Sequence, residues 1–259
     1  GHPAPTEHER LADIIRRHST NREDVRRVAL AGLDLARARR LLDLGCGSGF
    51  MARAMMGRTA PGATIMGIDR EQGNRVPFLA AAAVGGCRGS FLCRDLQSRL
   101  DFPARTFDMA TASYSLYFFP GIIPEVARVL QPGGHFVVIT HSEASFAGLL
   151  WARGVPPERS ALRALIRGFS AENGAALLRE HFTAVEQRPF PNTLVFDAGD
   201  TADFAALVRY RAPQLGFTGR PAPSPEELDL WARDLLRTAG TFSVEKEDAV
   251  FICTGPRPR

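Results

Sequence analysis

Apolar and polar positions change rhythm twice along the chain. Residues 7–17 repeat apolar side chains at helical spacing, with Leu11, Ile14 and Ile15 on one face. Thr20 to Glu23 reads as a capping box that opens a second helix carrying Val25, Val28, Leu30 and Leu33. From residue 40 the rhythm is different. Short apolar runs at 40–45, 63–69, 90–95, 107–116 and 134–141 alternate with helix-like stretches at 50–58, 73–85 and 124–130. That alternation predicts βαβ units and a parallel sheet covered on both faces. Gln131 to Gly134 reads as a turn between a helix and the fifth strand. Beyond residue 143 the rhythm loosens. Residues 144–181 read as helical with a break at 154–158, 182–190 and 192–197 as extended, and 200–212 and 225–238 as helical around a Pro/Gly-rich connector. Residues 242–253 read as a hairpin, or one long strand, turning at Lys246-Glu247-Asp248.

The first strand carries the chemistry. In "RRLLDLGCGSGF", residues 39–50, an apolar run meets Asp43, and glycines follow at 45, 47 and 49. Such a turn brings backbone close to a ligand and feeds a helix N-terminus, which favours a negative group. The dinucleotide fingerprint needs its third glycine at position 50, where this chain has Phe50.

"LLDLGCGSG" resembles motif I of the class I S-adenosylmethionine (SAM) dependent methyltransferases. Later positions agree: "GIDR" ends in Asp69 and Arg70; "CRDLQSRLDFPARTFD" supplies Asp95, Leu96 and the Leu100–Pro103 and Phe107-Asp108 pattern; "EVARVLQPGGHFVV" resembles the helix, turn and fifth strand. The resemblance spans roughly residues 39–140. It implies an α/β fold: a Rossmann-like, seven-stranded, mostly parallel sheet with helices on both faces, its last strand antiparallel. A helical cap would come from the second half. Three blocks follow: N-terminal helices over 1–38, a SAM-binding core over 39–143, and cap elements with terminal strands over 144–259. It implies SAM as cofactor, with S-adenosylhomocysteine as product. Asp69 would accept from the ribose hydroxyls and Asp95 from the adenine amine, with Leu96 packing beside it. Asp43, Gly45, Cys46, Gly47, Gly49 and Arg70 would surround the amino-acid end and the ribose. Ser113 and Tyr114 follow the fourth strand.

Methyl transfer from a sulfonium mainly needs an aligned acceptor, for which orientation supplies roughly 7–11 kcal/mol. Signatures of nucleic-acid base methylation are absent: no Asn-Pro-Pro-Tyr follows the fourth strand, which reads "ASYSLYFFP". The pattern is most similar to the ubiquinone/menaquinone-type and natural-product branch, and so implies an O, N or C atom of a small molecule as acceptor. Tyr117 and His141 lie at carboxyl ends of central strands, where open α/β sheets bind ligands. They are the candidate catalytic residues, with His141 as general base. Trp151, Phe169, Phe204, Tyr210, Phe217 and Trp231 are candidate walls of an apolar acceptor pocket. An RNA or protein methyltransferase and a non-catalytic SAM-binding module are the alternatives.

Composition narrows this a little. The net charge is +4, Lys246 is the only lysine, and the arginines are dispersed among acids. That pattern disfavours a nucleic-acid partner. Cys46, Cys87, Cys93 and Cys253 lack metal-ligand spacing and read as small buried thiols, so no metal site is expected. No run is long and apolar enough for a membrane span, and the first residues lack a secretory apolar region. A cytoplasmic monomer or homodimer is the expectation.

Overall fold

The structure, a computed structural model, describes residues 7–211 and 223–257. By internal contacts the chain forms two compact units, and the contiguous blocks read from the sequence are not these units. One unit is Glu23–Thr140, Gly168–Phe190 and Ala249–Arg259; the other is Gly1–Arg22, His141–Arg167 and Pro191–Asp248. The N-terminal helices therefore divide: α1 (Glu7–His18) falls in the second unit and α2 (Val25–Leu30) in the first.

The first unit is built on a seven-stranded sheet. Its strands are β1 (Arg40–Leu44), β2 (Thr64–Asp69), β3 (Arg88–Cys93), β4 (Phe107–Ser113), β5 (Leu130–His141), β6 (Phe182–Phe190) and β9 (Asp248–Pro256), in the order β3-β2-β1-β4-β5-β9-β6. β1 pairs in parallel with β2 and β4, β2 with β3, and β4 with β5. The last strand thus inserts between the fifth and sixth. Arg257 N donates to the His181 carbonyl and Thr183 Oγ1 to the Thr254 carbonyl, so residue numbers run oppositely along β6 and β9.

Alternation on the central strands feeds two cores. Leu42, Leu44, Ala110, Ala112, Phe136 and Val138 pack on one face. Leu41, Ile65, Met109, Val137 and Ile139 pack on the other, with Met51 and Phe78 from the helices α3 (Phe50–Ala54) and α4 (Arg75–Val84). Each fully buried leucine contributes about 1.5–3 kcal/mol. β1 is buried at every position after Arg40, which is why it reads as a solid apolar run. α5 (Ile123–Val129) covers the first face, and α8 (Gly174–Arg179) packs beside β6.

The second unit contains α1, α6 (Ala147–Ala152), α7 (Ala161–Ile166), α9 (Thr201–Tyr210), α10 (Pro225–Ala239) and a two-stranded antiparallel sheet of β7 (Thr193–Asp197) and β8 (Thr241–Glu245). Leu11, Phe146, Leu194, Phe204 and Leu236 are among its core residues. Ser224 and Glu227 form a reciprocal capping box at the start of α10.

Three local expectations change. The cap of α2 is Asp24, whose carboxylate accepts from Arg26 N, because Thr20 is taken by β7: its N–H donates to the Thr193 carbonyl. The turn at 131–134 lies inside β5 as a bulge, the register jumping from Phe107↔Leu130 to Met109↔His135. Residues 242–253 form no hairpin, since β8 pairs with β7 while β9 joins the larger sheet. Among the described residues no helix is long and apolar enough to cross a membrane.

Candidate cofactor site

In the first unit the carboxyl ends of β1, β2 and β4 converge on the glycine turn. Gly45, Gly47 and Gly49 all have positive φ (65°, 48° and 86°), and Gly49 caps α3 in the left-handed conformation. Their side-chain space differs. A Cβ on Gly45 would lie 2.5 Å from Ser115 Cβ, and one on Gly49 2.7 Å from Ala81 Cβ. A Cβ on Gly47 meets nothing within 4 Å. So Gly45 and Gly49 are glycines because neighbours press on them, while Gly47 borders open space that a ligand can occupy.

The turn is fastened to β2. Gly45 N and Cys46 N donate to the Ile68 carbonyl at 2.8 and 3.1 Å. Gly47 N donates to Asp69 Oδ2 at 2.8 Å, and Asp69 Oδ1 accepts from Glu71 N at 2.9 Å and Asn74 Nδ2 at 3.1 Å. Asp69 is buried, so these bonds replace water. Asn74 was not singled out from the sequence; its place five residues after a strand-end acid, at a helix start, is the signal that was there.

Asp43 lies deeper. It points to the face shared with Leu41 and Met109, opposite Thr111 in the strand register. Its Oδ1 accepts from Thr111 Oγ1 at 2.7 Å, whereas its Oδ2 is buried with no hydrogen-bond partner. Among the described residues no cationic side chain makes an ion pair with Asp43 or Asp69. Burial, aided by the Asp69 charge, pushes the Asp43 carboxyl up to about 7 against the pull of the Thr111 hydrogen bond. Thr111 and Ser115, whose Oγ donates to the Leu44 carbonyl at 2.7 Å, also escaped the sequence reading. A threonine in register with a strand acid is legible only once the strand pairing is known.

The other expected residues fall around this centre. Cys46 is buried in the turn, its thiol pushed upward by burial and by Asp43 and Asp69, so it stays protonated. Arg70 is exposed, 3.3 Å from Glu71 and over the Phe118 ring at 5.9 Å. Asp95 is exposed two residues beyond the Asp69↔Cys93 register pair, and Leu96 is buried in the sheet core. Ser113 ends β4. Tyr114 takes a left-handed φ of 54° and donates its N–H to the Ile139 carbonyl, a backbone conformation a bulky residue rarely adopts. Tyr117 is half-buried against the sheet core, its ring 4.8 Å from Phe118. Cys93 corrects the expectation of buried thiols: it is exposed at the end of an edge strand.

His141 belongs to the second unit. Its imidazole is 2 % exposed, Nδ1 lies 2.7 Å from Asp248 Oδ1, and Lys246 engages the other carboxylate oxygen. Phe146 meets the imidazole edge-on at 5.8 Å. Burial lowers the imidazole to about 4 despite Asp248, with Lys246 and Arg211 adding to the decrease. An imidazole so lowered is neutral at neutral pH. Of the candidate pocket aromatics, Phe169 is buried in the core of the first unit, and Phe204, Tyr210 and Trp231 in or against that of the second. Trp151 is exposed, and Phe217 lies outside the described residues.

Comparison with known proteins fits this geometry. Residues 42–138 match the methyltransferase domain family. The chain is 38% identical over 134 residues to nocamycin O-methyltransferase of Saccharothrix syringae, covering 49% of this chain and 46% of that one. It is 27% identical over 146 residues to demethylmenaquinone methyltransferase of Geobacillus kaustophilus, covering 54% and 61%. A solved structure of a proposed methyltransferase from Bacillus halodurans superposes with a TM-score of 0.56 at 15% identity, covering 95% of this chain and 99% of that one, which establishes the fold. The chain spans about half the length of the curated relatives it matches.

Two expectations separate the turn from its supports. Gly47→Ala should cost only the strain of a left-handed alanine, about 1–2 kcal/mol, and remove cofactor binding in a calorimetric titration. Gly45→Ala should lower the melting temperature clearly, because its Cβ overlaps Ser115. Equal melting losses would misplace the open side of the turn.

Asp43 predicts a pH effect. A carboxyl raised in the folded state binds its proton more tightly than the unfolded chain does. Its contribution is full below the ordinary carboxylate range near 4 and is lost as pH rises to about 7. Asp43→Asn should flatten the fall in melting temperature across that window; parallel curves for parent and variant would contradict the assignment.

Proposed function

We propose that the chain is a class I SAM-dependent methyltransferase that transfers a methyl group from SAM to an O, N or C atom of a small-molecule acceptor. The observation that carries the reading is the turn at Gly47: open to a ligand, fastened to Asp69, and backed by the carboxylates of Asp43 and Asp69, with which no cationic side chain among the described residues makes an ion pair. SAM brings what this site lacks. Its sulfonium and ammonium are cations, and its ribose hydroxyls are donors for a strand-end acid. Asp69 has lone pairs beyond those used by Gly47, Glu71 and Asn74, and takes the ribose. Asp95 and the buried Leu96 take the adenine end, and Arg70 and Ser113 line the approach. When bound, SAM supplies an activated methyl carbon; the chain binds, orients and excludes water. The likeness to nocamycin O-methyltransferase and demethylmenaquinone methyltransferase supports a small-molecule acceptor.

Proton removal from the acceptor is assigned to His141. Support comes from an imidazole held neutral and oriented through Nδ1 by a carboxylate, which makes Asp248 its positioning residue. Tyr117 is placed as packing for the acceptor rather than as an acid.

Asp69→Asn removes the charge and replaces one acceptor by a donor, which must face either Gly47 N–H or the Glu71 N–H and Asn74 amide; SAM binding should weaken at least tenfold in calorimetry while the chain still melts cooperatively, since hydrogen bonds to a charged group contribute about 1.5–3 kcal/mol. Unchanged affinity would take Asp69 out of the site. Labelled SAM incubated with metabolite pools identifies the acceptor.

For His141→Gln the measurement is the pH–rate profile with that acceptor. The parent should lose activity only toward pH 4, following the lowered imidazole, and the variant should keep SAM affinity with turnover down more than tenfold. Turnover within threefold of the parent would leave His141 a structural tie to Asp248.

A further inference from the structure

His141 and Lys246 meet the same buried acid at its two oxygens. Asp248 Oδ1 lies 2.7 Å from His141 Nδ1, and the Lys246 ammonium donates to Asp248 Oδ2. Lys246 is the only lysine in the chain, and it is itself buried, in the two-residue link between β8 and β9. That link is fixed along its backbone. Lys246 N donates to the Asn192 carbonyl at 3.0 Å. The Glu247 carbonyl accepts from Ser142 N at 2.9 Å, and the Glu245 carbonyl from Phe146 N at 2.7 Å. The ammonium therefore has one defined place beside Asp248.

Stability does not account for this placement. Lysine is seldom buried unless paired, and apolar side chains of similar volume are often as stable as a buried ion pair or more so. Geometry and charge account for it better. The terminal torsion of an aspartate is broad, so a carboxylate held at one oxygen can turn. Held at both, it presents Oδ1 to Nδ1 in a single plane. The ammonium also offsets the carboxylate charge, which would otherwise draw a second proton onto the imidazole. An ionised Asp248 accepts from Nδ1–H, and that leaves the lone pair of the neutral imidazole on Nε2.

We infer that Lys246 is a positioning residue for proton removal from the acceptor: it pins Asp248 at the oxygen away from His141 and keeps the imidazole neutral, with its proton on Nδ1. The inference rests on the His141 reading above and deepens it. Among the described residues, the charged groups that face His141 are Asp248, Lys246 and Arg211, whose guanidinium lies over the Phe146 ring at 4.6 Å. The lowered imidazole agrees, burial being its main cause and Lys246 and Arg211 adding to it. Without the ammonium, the buried carboxylate takes its counter-charge from His141 instead.

The test is nuclear magnetic resonance of the full chain carrying isotope-labelled histidine, with the His141 signals assigned by their loss in His141→Gln. The parent should show the neutral Nδ1–H tautomer at neutral pH. In Lys246→Met the imidazole should titrate about one pH unit or more higher than in the parent, and Lys246→Arg, which returns a cation to Oδ2, should reverse most of that rise. With the acceptor found by the labelled-SAM screen, the acid limb of the pH–rate profile should move by the same amount, which a lysine serving stability alone would not cause. An unchanged His141 titration in Lys246→Met, or failure of both Lys246 variants to melt cooperatively, makes Lys246 a structural ion pair and overturns the inference. A shifted titration beside full turnover in His141→Gln overturns the base reading itself, while Lys246 keeps its hold on the imidazole.

Discussion

The hydrogen bond from Gly47 N–H to the Asp69 carboxylate, at 2.8 Å, holds together everything the site needs. Three alternate glycines, at 45, 47 and 49, in left-handed conformations form a segment with much entropy to lose. Asp69 restrains it from the side, and the same carboxylate accepts from Glu71 N and Asn74 Nδ2. One buried acid thus joins the turn after β1 to the turn after β2. Without it, neither the start of α3 nor the approach to α4 has a fixed place.

Asp43 is the counterweight. Leu41, Ile65, Met109, Val137 and Ile139 pack on the sheet face where it lies, and Thr111 donates the one hydroxyl hydrogen bond it accepts there. Burying an acid with one unpaired oxygen in such a place costs folding stability. Stability and binding here pull in opposite directions, as they do at many preorganised sites.

The parallel sheet was legible because each central strand is buried on both faces and stops at a polar or glycine residue; β1 does both within Arg40–Gly45. The turn and its acids were legible because backbone demands at 45, 47 and 49 leave few residue choices. What escaped depends on pairing across the sheet. Thr111 reaches Asp43 only through register, and Ser115 reaches Leu44 from a turn after a different strand. The lowered pKa of His141 was not legible for a similar reason: burial is its main cause, and burial depends on tertiary packing that the sequence does not display. The hairpin expected over 242–253 failed because apolar alternation marks strands without naming their partners.

The position of β9 bears on the order of events during synthesis. The strand nearest the end of the described chain lies between β5 and β6, inside the sheet rather than at its rim. Until residue 256 has left the ribosome, β5 and β6 each present an unsatisfied backbone edge to the cell. A nascent chain can assemble β1 to β5 early, since those pairings are close in sequence, yet must wait for β9 to seal the gap. Interrupted translation products of this fold are accordingly the species most exposed to edge-to-edge aggregation and to capture by chaperones.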